Sequence, residues 1–217
     1  MKREIIQAAG ARRALAQRRQ YTIYASIAIV AIIILIAVVL ATNRAAVPVG
    51  ASHADGTAAL KVGDRAPQFS VATTAGSFDL ASASGKPVLL EVFASWCPHC
   101  QAEVPILNKV AQSYKGRAKV VSVAGSPYGI DQSTPESQAD VIAFTTKYHA
   151  TYPIAFDPNL DVAKKYLQGG FPTVVLIGAH GDVQAIRDGE IPAAEITKAL
   201  DLSIAGKHPD AHLGLKN

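Results

Sequence analysis

The sequence predicts an α/β domain, built on a mixed central β-sheet flanked by helices and preceded by one transmembrane helix. Three observations support this. Residues 20–43 contain no charged side chain. After them, short apolar runs typical of buried strands alternate with stretches of helical period. The order of these patterns is β-α-β and then β-β-α, which favours a sheet with both parallel and antiparallel strands.

The first 20 residues are predicted to form a basic arm. Residues 1–19 hold six Lys or Arg side chains and one acid, Glu4, so they contribute +5 to a chain whose net charge is +4. The remainder is slightly acidic, which argues against nucleic-acid binding. Because basic residues are retained on the cytoplasmic side of a membrane, the arm predicts a cytoplasmic N-terminus.

We expect residues 21–42 to form the transmembrane helix, since about 20 apolar residues cross ~30 Å of hydrocarbon. Tyr21 and Tyr24 lie at the basic end, where aromatic rings prefer the headgroup region. A cleaved signal peptide is the alternative, although this apolar stretch exceeds the roughly 7–15 residues of a signal core. Either interpretation places the following domain outside the cytoplasm, in the periplasm or its equivalent.

Two polar segments flank the predicted domain, which spans residues 61–203. Residues 43–60 are small, polar and interrupted by Gly and Pro, and predict a flexible linker. Residues 204–217 are predicted to be a C-terminal tail that frays from Gly206 onwards. His208 and His212 are four residues apart in this tail, but Pro209 argues against a helix, so we predict no metal site there.

Within the domain, five segments have the composition of strands: residues 88–93, 119–124, 152–156, 173–177 and 183–187. Four segments have the pattern of helices: residues 100–114, 134–148, 161–166 and 192–202. The second helix is expected to start with Thr134 as its cap and Pro135 at its first position, because proline suits that position.

Cys97 and Cys100 are the only cysteines, so the fold cannot depend on a framework of disulfides. Cys97 follows a predicted strand and opens a predicted helix. The free N–H groups and partial positive charge of a helix N-terminus stabilise a thiolate, which is the nucleophilic form of the side chain. Cys97 can therefore attack a disulfide, Cys100 can resolve the product, and the two predict a redox-active disulfide.

The two intervening residues are expected to tune this pair. Pro98 fits the first position of a helix because its missing N–H would have no partner there. An imidazolium at His99 would favour the Cys97 thiolate further. A stabilised thiolate favours the reduced protein, so His99 predicts a more strongly oxidising disulfide.

Two cysteines at this spacing also suit other chemistries. A zinc site would need a second Cys or His pair, which is missing where it is expected, and haem attachment needs His where Gln101 stands. A Cu(I) chaperone using both thiols stays an alternative, although the only methionine is Met1. A thiol peroxidase is a further alternative that lacks an additional cysteine. We predict neither a metal nor a cofactor.

Residues 96–105, which read WCPHCQAEVP, resemble the thioredoxin superfamily, and most closely its membrane-tethered TlpA/ResA-type branch. Residues 62–69, 85–88 and 170–173 are similar to other motifs of that branch, in the same order. The resemblance covers about residues 61–203. It implies a thioredoxin-like fold and an activity in thiol–disulfide exchange.

The resemblance also implies roles for individual residues. Cys97 would attack and Cys100 would resolve. Pro172 would follow a cis peptide bond and face the disulfide, and the backbone of Phe171 would pair with a bound peptide. Trp96 would shield the disulfide and shape the docking surface.

Two acids are implied to be catalytic. Glu91 occupies the place of a buried acid that assists proton transfer, and a position on a wetter edge of the sheet is the alternative. Glu103 matches the acid that follows the second cysteine in this branch. Its alternative is a solvated acid in the first helical turn, where carboxylates are favoured in any case.

The predicted function is electron exchange with cysteine pairs of exported proteins, with a membrane redox partner that recycles the disulfide. Similarity to the branch favours reduction of apocytochrome cysteines in cytochrome c maturation. The Pro98-His99 pair departs from that branch and resembles strongly oxidising proteins of the DsbA type, which favours oxidation of exported chains. The direction of electron flow is left open by the sequence.

Overall fold

The computed structural model describes residues 59–214. The predicted basic arm and transmembrane helix, and all of the predicted linker except its last two residues, lie outside this range. Among the described residues, no helix combines the length and apolar character needed to cross a membrane.

A seven-stranded mixed sheet forms the centre of the domain, with the strand order β2-β1-β5-β4-β3-β6-β7. The strands are β1 Ser70–Thr73, β2 Gly76–Asp79, β3 Val88–Phe93, β4 Lys119–Ala124, β5 Ile154–Phe156, β6 Thr173–Ile177 and β7 Val183–Asp188. The β3–β4 and β4–β5 pairs are parallel and the other pairs are antiparallel. The prediction of a mixed sheet is therefore confirmed.

Helices cover both faces of this sheet. They are α1 Pro98–Ser113, α2 Gln138–Lys147, α3 Ala163–Tyr166 and α4 Ala193–Ile204, with a 3₁₀ helix at Ala81–Ala83. Buried side chains of α1, α2 and α4 share one hydrophobic core, while α3 and the 3₁₀ helix contribute to the core on the opposite face. Central strands enclosed in this way read as continuous apolar runs, which is why β3, β4 and β6 have the predicted bounds.

The predicted start of the second helix is wrong. The structure begins α2 at Gln138, with Ser137 as its cap and a capping box between Ser137 and Asp140. Thr134 instead donates its hydroxyl to Asp131 Oδ2 at 2.9 Å, within a preceding turn. A local hydrogen bond from a Thr side chain thus competes with the helix that it was expected to start.

The expected fraying of the C-terminal segment is also wrong as far as Gly214. Leu213 is buried, the Ile186 N–H donates to the Ala211 carbonyl oxygen at 3.0 Å, and Arg187 Nη1 donates to the Leu213 carbonyl oxygen at 2.8 Å. The segment packs along the outer edge of β7, the edge that does not pair with β6.

Candidate active site

Cys97 is the N-cap residue of α1, directly after the end of β3 and a short turn. Its backbone is extended and Pro98 occupies the first helical position, as the spacing predicted. The Cys97 side chain is only 4% exposed, and its Sγ lies 3.5 Å from the carbonyl oxygen of Phe171. The structure holds Cys97 and Cys100 as free thiols, so the disulfide between them stays a prediction.

The loop that faces Cys97 contains the Phe171–Pro172 peptide bond, which is cis as the resemblance implied. Thr173 follows it, and its hydroxyl lies 2.7 Å from both the Gly170 carbonyl oxygen and Asp188 Oδ1. These contacts connect the loop to β7. The Phe171 carbonyl oxygen is thereby held beside the Cys97 sulfur, and its pairing with a bound peptide stays a prediction.

Trp96 lies against the same loop. Its Nε1 donates to the Ser126 hydroxyl at 2.9 Å, and its ring stands edge-on to that of Phe171 with the centroids 5.9 Å apart. Ser126 in turn donates to the Tyr128 carbonyl oxygen at 2.7 Å. The Trp96 ring is thus fixed between the Ser126 hydroxyl and the Phe171 ring, while its role in shielding the cysteines stays a prediction.

Glu91 lies inside the domain beneath Cys100. It occupies the fourth position of β3, faces the core shared with α1, and accepts a hydrogen bond from the Ser122 hydroxyl of β4. Burial, reinforced by the negative charge of Glu103, raises the pKa of Glu91 well above its ordinary value. The alternative of a position on a wet edge of the sheet is therefore wrong.

Cys100 is as fully buried as Glu91. Burial is the main reason why the pKa of Cys100 is raised, and the adjacent carboxylate of Glu91 raises it further. A thiol of this kind reacts only when a neighbouring group takes up its proton. Glu91 is close enough to act on Cys100 electrostatically, and it has one oxygen without a hydrogen-bond partner among the described residues.

Glu103 is fully buried on α1 instead of being solvated in its first turn. Its Oε1 accepts the backbone N–H of Ile191 at 3.3 Å, while its Oε2 has no partner within residues 59–214. Burial raises the pKa of Glu103, and the Ile191 N–H partly opposes that effect. Glu91 and Glu103 thus form a pair of interacting acids behind the cysteines.

His99, two residues after Cys97, contacts the carboxylate of Glu190. It is 65% exposed, and its Nδ1 lies 2.5 Å from Oε1 of Glu190, which is 52% exposed and belongs to the loop between β7 and α4. A protonated His99 therefore forms an ion pair. The sequence separation of 91 residues hid this contact from motif analysis.

Other residues of the site were also missed from the sequence. Ser122 was detectable in principle, because it is the one polar residue within the apolar run VVSVA of β4 and lies opposite Glu91. Tyr152 is buried near the acids, and burial together with the charge of Glu91 raises its pKa. No local pattern identified Tyr152 or Ser126.

No group of three His, Cys, Asp or Glu side chains within residues 59–214 is arranged to hold a metal ion. The site offers two thiols at the start of a helix, a cis-proline loop against the first thiol, and buried acids behind the second. This combination on a mixed sheet of the observed order defines a thioredoxin-fold thiol–disulfide oxidoreductase.

The chain belongs to the Redoxin family, whose model matches residues 61–202. It is 32% identical over 144 residues to the thioredoxin-like protein YneN of Bacillus subtilis, covering 66% of this chain and 81% of the relative. It is 30% identical over 139 residues to the thiol-disulfide oxidoreductase ResA of Oceanobacillus iheyensis, covering 60% and 67% of the two chains.

A similar solved structure is that of a thiol:disulfide interchange protein, DsbE, from Chlorobium tepidum. Its TM-score is 0.56 at 30% identity, and the match covers 68% of this chain and 98% of that one. The sequence resemblance to the ResA-type branch is thereby confirmed, as is the activity class.

Proposed function

We propose that this protein is a membrane-anchored oxidoreductase that exchanges electrons with the cysteine pairs of exported proteins, on the outer side of the cytoplasmic membrane. The observation that supports this best is the placement of Cys97 Sγ at a helix start and 3.5 Å from the Phe171 carbonyl oxygen. A peptide lying along the Phe171 backbone would bring its own sulfur to the nucleophile.

The exchange proceeds through a mixed disulfide. When the protein acts as a reductant, the Cys97 thiolate attacks one sulfur of the substrate disulfide and the other substrate sulfur leaves as a thiolate. Cys100 then attacks the Cys97 sulfur and releases the second substrate thiol. Two electrons pass to the substrate, the protein keeps a Cys97–Cys100 disulfide, and a membrane redox partner resets it. Oxidation of a substrate runs through the same steps in reverse.

Glu91 and Glu103 are assigned to the proton transfers of the second step. Cys100 must lose its proton as it attacks, and the side chain is too buried for bulk water to take that proton. A carboxyl with a raised pKa near neutral pH can both accept and return a proton. Glu91 is the proton acceptor because its charge acts directly on Cys100. Glu103 acts on Glu91 in turn, because its negative charge raises the pKa of Glu91.

The extracytoplasmic placement is supported by the N-terminal sequence. Residues 1–19 carry the basic charge and residues 20–43 carry none. This asymmetry predicts a helix with its N-terminus in the cytoplasm and the redox domain outside. Outside the cytoplasm, glutathione and thioredoxin do not keep cysteine pairs reduced, so exported proteins need dedicated exchange enzymes.

The catalytic part of the proposal is tested with the full-length protein in detergent and a peptide that contains a disulfide. Cys97→Ser is expected to abolish exchange, and Cys100→Ser to accumulate a mixed disulfide that non-reducing gels detect. Ser70→Ala, at an exposed position on β1, serves as the control and should behave as the wild type. Undiminished exchange by Cys97→Ser would disprove the mechanism.

The placement is tested in spheroplasts of a bacterium that expresses the full chain. Added protease should digest the domain while the N-terminal arm stays protected, and alkaline carbonate should leave the protein in the membrane. A domain that resists protease until the cells are lysed would contradict an outward orientation. The direction of electron flow is then decided by the reduction potential, for which about −120 mV indicates an oxidant and values near −270 mV a reductant.

A further inference from the structure

The contact between His99 and Glu190 bears on the reduction potential, and therefore on the direction of electron flow. This inference deepens the proposed function and rests on it. His99 lies between the two cysteines, in the first turn of α1. An imidazolium there stabilises the Cys97 thiolate and so raises the reduction potential of the couple. Glu190 places a carboxylate 2.5 Å from the same ring.

The loop that carries Glu190 is fixed on both sides of that residue. The Gly189 N–H donates to the Pro172 carbonyl oxygen at 2.8 Å, and Gly189 has a φ of +81°, which favours glycine. The Ile191 N–H donates to Glu103 Oε1 at 3.3 Å, and the Ile191 side chain is buried. Glu190 is thus held between the cis-proline loop and a catalytic acid, although its own carboxylate is exposed.

We propose that Glu190 is a positioning residue that pairs with His99 and lowers the reduction potential of the Cys97–Cys100 couple, which offsets part of the oxidising tendency of the Pro-His dipeptide. The physical reason is charge cancellation. A lone imidazolium presents a full positive charge to the Cys97 sulfur, whereas an imidazolium paired with a carboxylate presents little net charge. The reduced form then loses part of its stabilisation.

Glu190 can cancel the charge of His99 only where the ring is an imidazolium. The measurement is therefore made at pH 6.0, where an ordinary imidazole carries substantial positive charge. Because the pair is exposed and therefore screened, the effect is modest, and we expect about a fivefold change in the equilibrium constant.

Other charged groups lie close enough to contribute. Glu190 acts electrostatically on Glu103, and Arg187 acts on Glu103 with the opposite sign. Removing the charge of Glu190 can therefore change the couple through Glu103 instead of through His99. A double-mutant cycle with His99 distinguishes the two routes, because only the first requires the imidazole.

The experiment equilibrates the full-length protein with a thiol–disulfide buffer at pH 6.0 and measures the fraction oxidised. Glu190→Gln should make the couple about fivefold more oxidising, which corresponds to ~20 mV at 29.6 mV per tenfold change. Glu190→Asp should restore most of the wild-type value. Glu195→Gln, which removes a charge of α4 that pairs with Lys198, should leave the potential unchanged.

In the His99→Gln background, Glu190→Gln should shift the potential by less than half as much. An unchanged or lowered potential in Glu190→Gln would overturn the proposal. So would a shift of full size in the His99→Gln background, since the effect would then act through Glu103. These outcomes differ from failure of the proposed function, which Cys97→Ser tests separately by loss of exchange.

Discussion

At the scale of single residues, the site separates two thiols with different chemistry. Cys97 lies at the helix start beside the Phe171 carbonyl oxygen. Cys100 is one turn further on and buried, and both burial and Glu91 oppose its ionisation. In the proposed mechanism, this difference makes the first thiol the nucleophile towards substrates and makes the second depend on an internal base.

The dependence on an internal base predicts the effect of Glu91→Gln. Attack by Cys97 should proceed at nearly its wild-type rate, whereas resolution of the mixed disulfide by Cys100 should slow by about 100-fold or more, because the amide cannot accept a proton. Quenched-flow measurement of the two steps checks this. Equal slowing of both steps would show that Glu91 only supports the fold.

The pH profile gives a second test of the same residue. Resolution requires the carboxylate form of Glu91, and burial raises its pKa, so the wild-type rate should climb with pH well above the ordinary carboxyl range. Glu91→Gln should lose this rise. Ser122→Ala should move it to still higher pH, because the Ser122 hydroxyl bond lowers the pKa of Glu91.

At the scale of elements, the start of α2 shows how a local turn determines where a helix begins. Asp131 accepts hydrogen bonds from the backbone N–H groups of Ser133 and Thr134, each at 2.9 Å. This turn occupies Thr134 and delays the helix until Ser137. There Asp140 N–H donates to the Ser137 hydroxyl at 3.2 Å, and the Asp140 carboxylate accepts the Ser137 N–H at 2.9 Å.

The reciprocal cap predicts that Ser137→Ala destabilises the folded domain by about 1 kcal/mol, the usual effect of removing such a hydroxyl. Urea unfolding of the full-length protein measures it, followed by the fluorescence of Trp96, the only tryptophan in the chain. Gln138→Ala, exposed at the first position of the same helix, is the control. Equal losses for the two variants would contradict the capping role.

The elements that the sequence predicted well are those whose burial is complete. All residues of β3 and β6 are buried, so their apolar runs coincide with the strands. β1 and β2 were not predicted because none of their residues is buried, so neither strand contains an apolar run. The packing of residues 206–214 was also missed, since it depends on β7 and on no pattern within the segment.

The site residues also fall into two groups, those that the sequence predicted and those that it did not. Cys97, Cys100 and Pro172 were found because each belongs to a contiguous motif. Glu190 and Ser126 contact that motif from loops far along the chain, and only the fold brings them to it.

At the scale of the whole molecule, three glutamates are buried within one small domain. Glu91 and Glu103 lie behind the cysteines, while Glu136 lies in the loop before α2 with both carboxylate oxygens unpartnered among the described residues. Burial raises the pKa of Glu136 to about 7, although Ser95, two residues before Cys97, acts in the opposite direction. At neutral pH the folded domain therefore keeps protons bound to these carboxyl groups, whereas the unfolded chain would release them.

This difference in bound protons between the folded and unfolded states predicts how stability changes with pH. A carboxyl whose pKa is higher in the folded state stabilises the fold at low pH, and that contribution is lost as the pH rises from about 4.5 towards 7 and above. For Glu136 alone the loss amounts to on the order of 3 kcal/mol. Wild-type protein should therefore unfold at lower urea concentration at pH 8 than at pH 5.

Glu136→Gln should remove its share of this dependence, because the amide does not titrate. We expect the variant to match the wild type at pH 5 and to exceed it in the free energy of unfolding at pH 8, as measured by Trp96 fluorescence in urea. Asp161→Asn changes an exposed acid and should keep the wild-type slope. If Glu136→Gln keeps the wild-type dependence of unfolding free energy on pH, Glu136 is hydrated in solution. The pH dependence would then come from Glu91 and Glu103 alone.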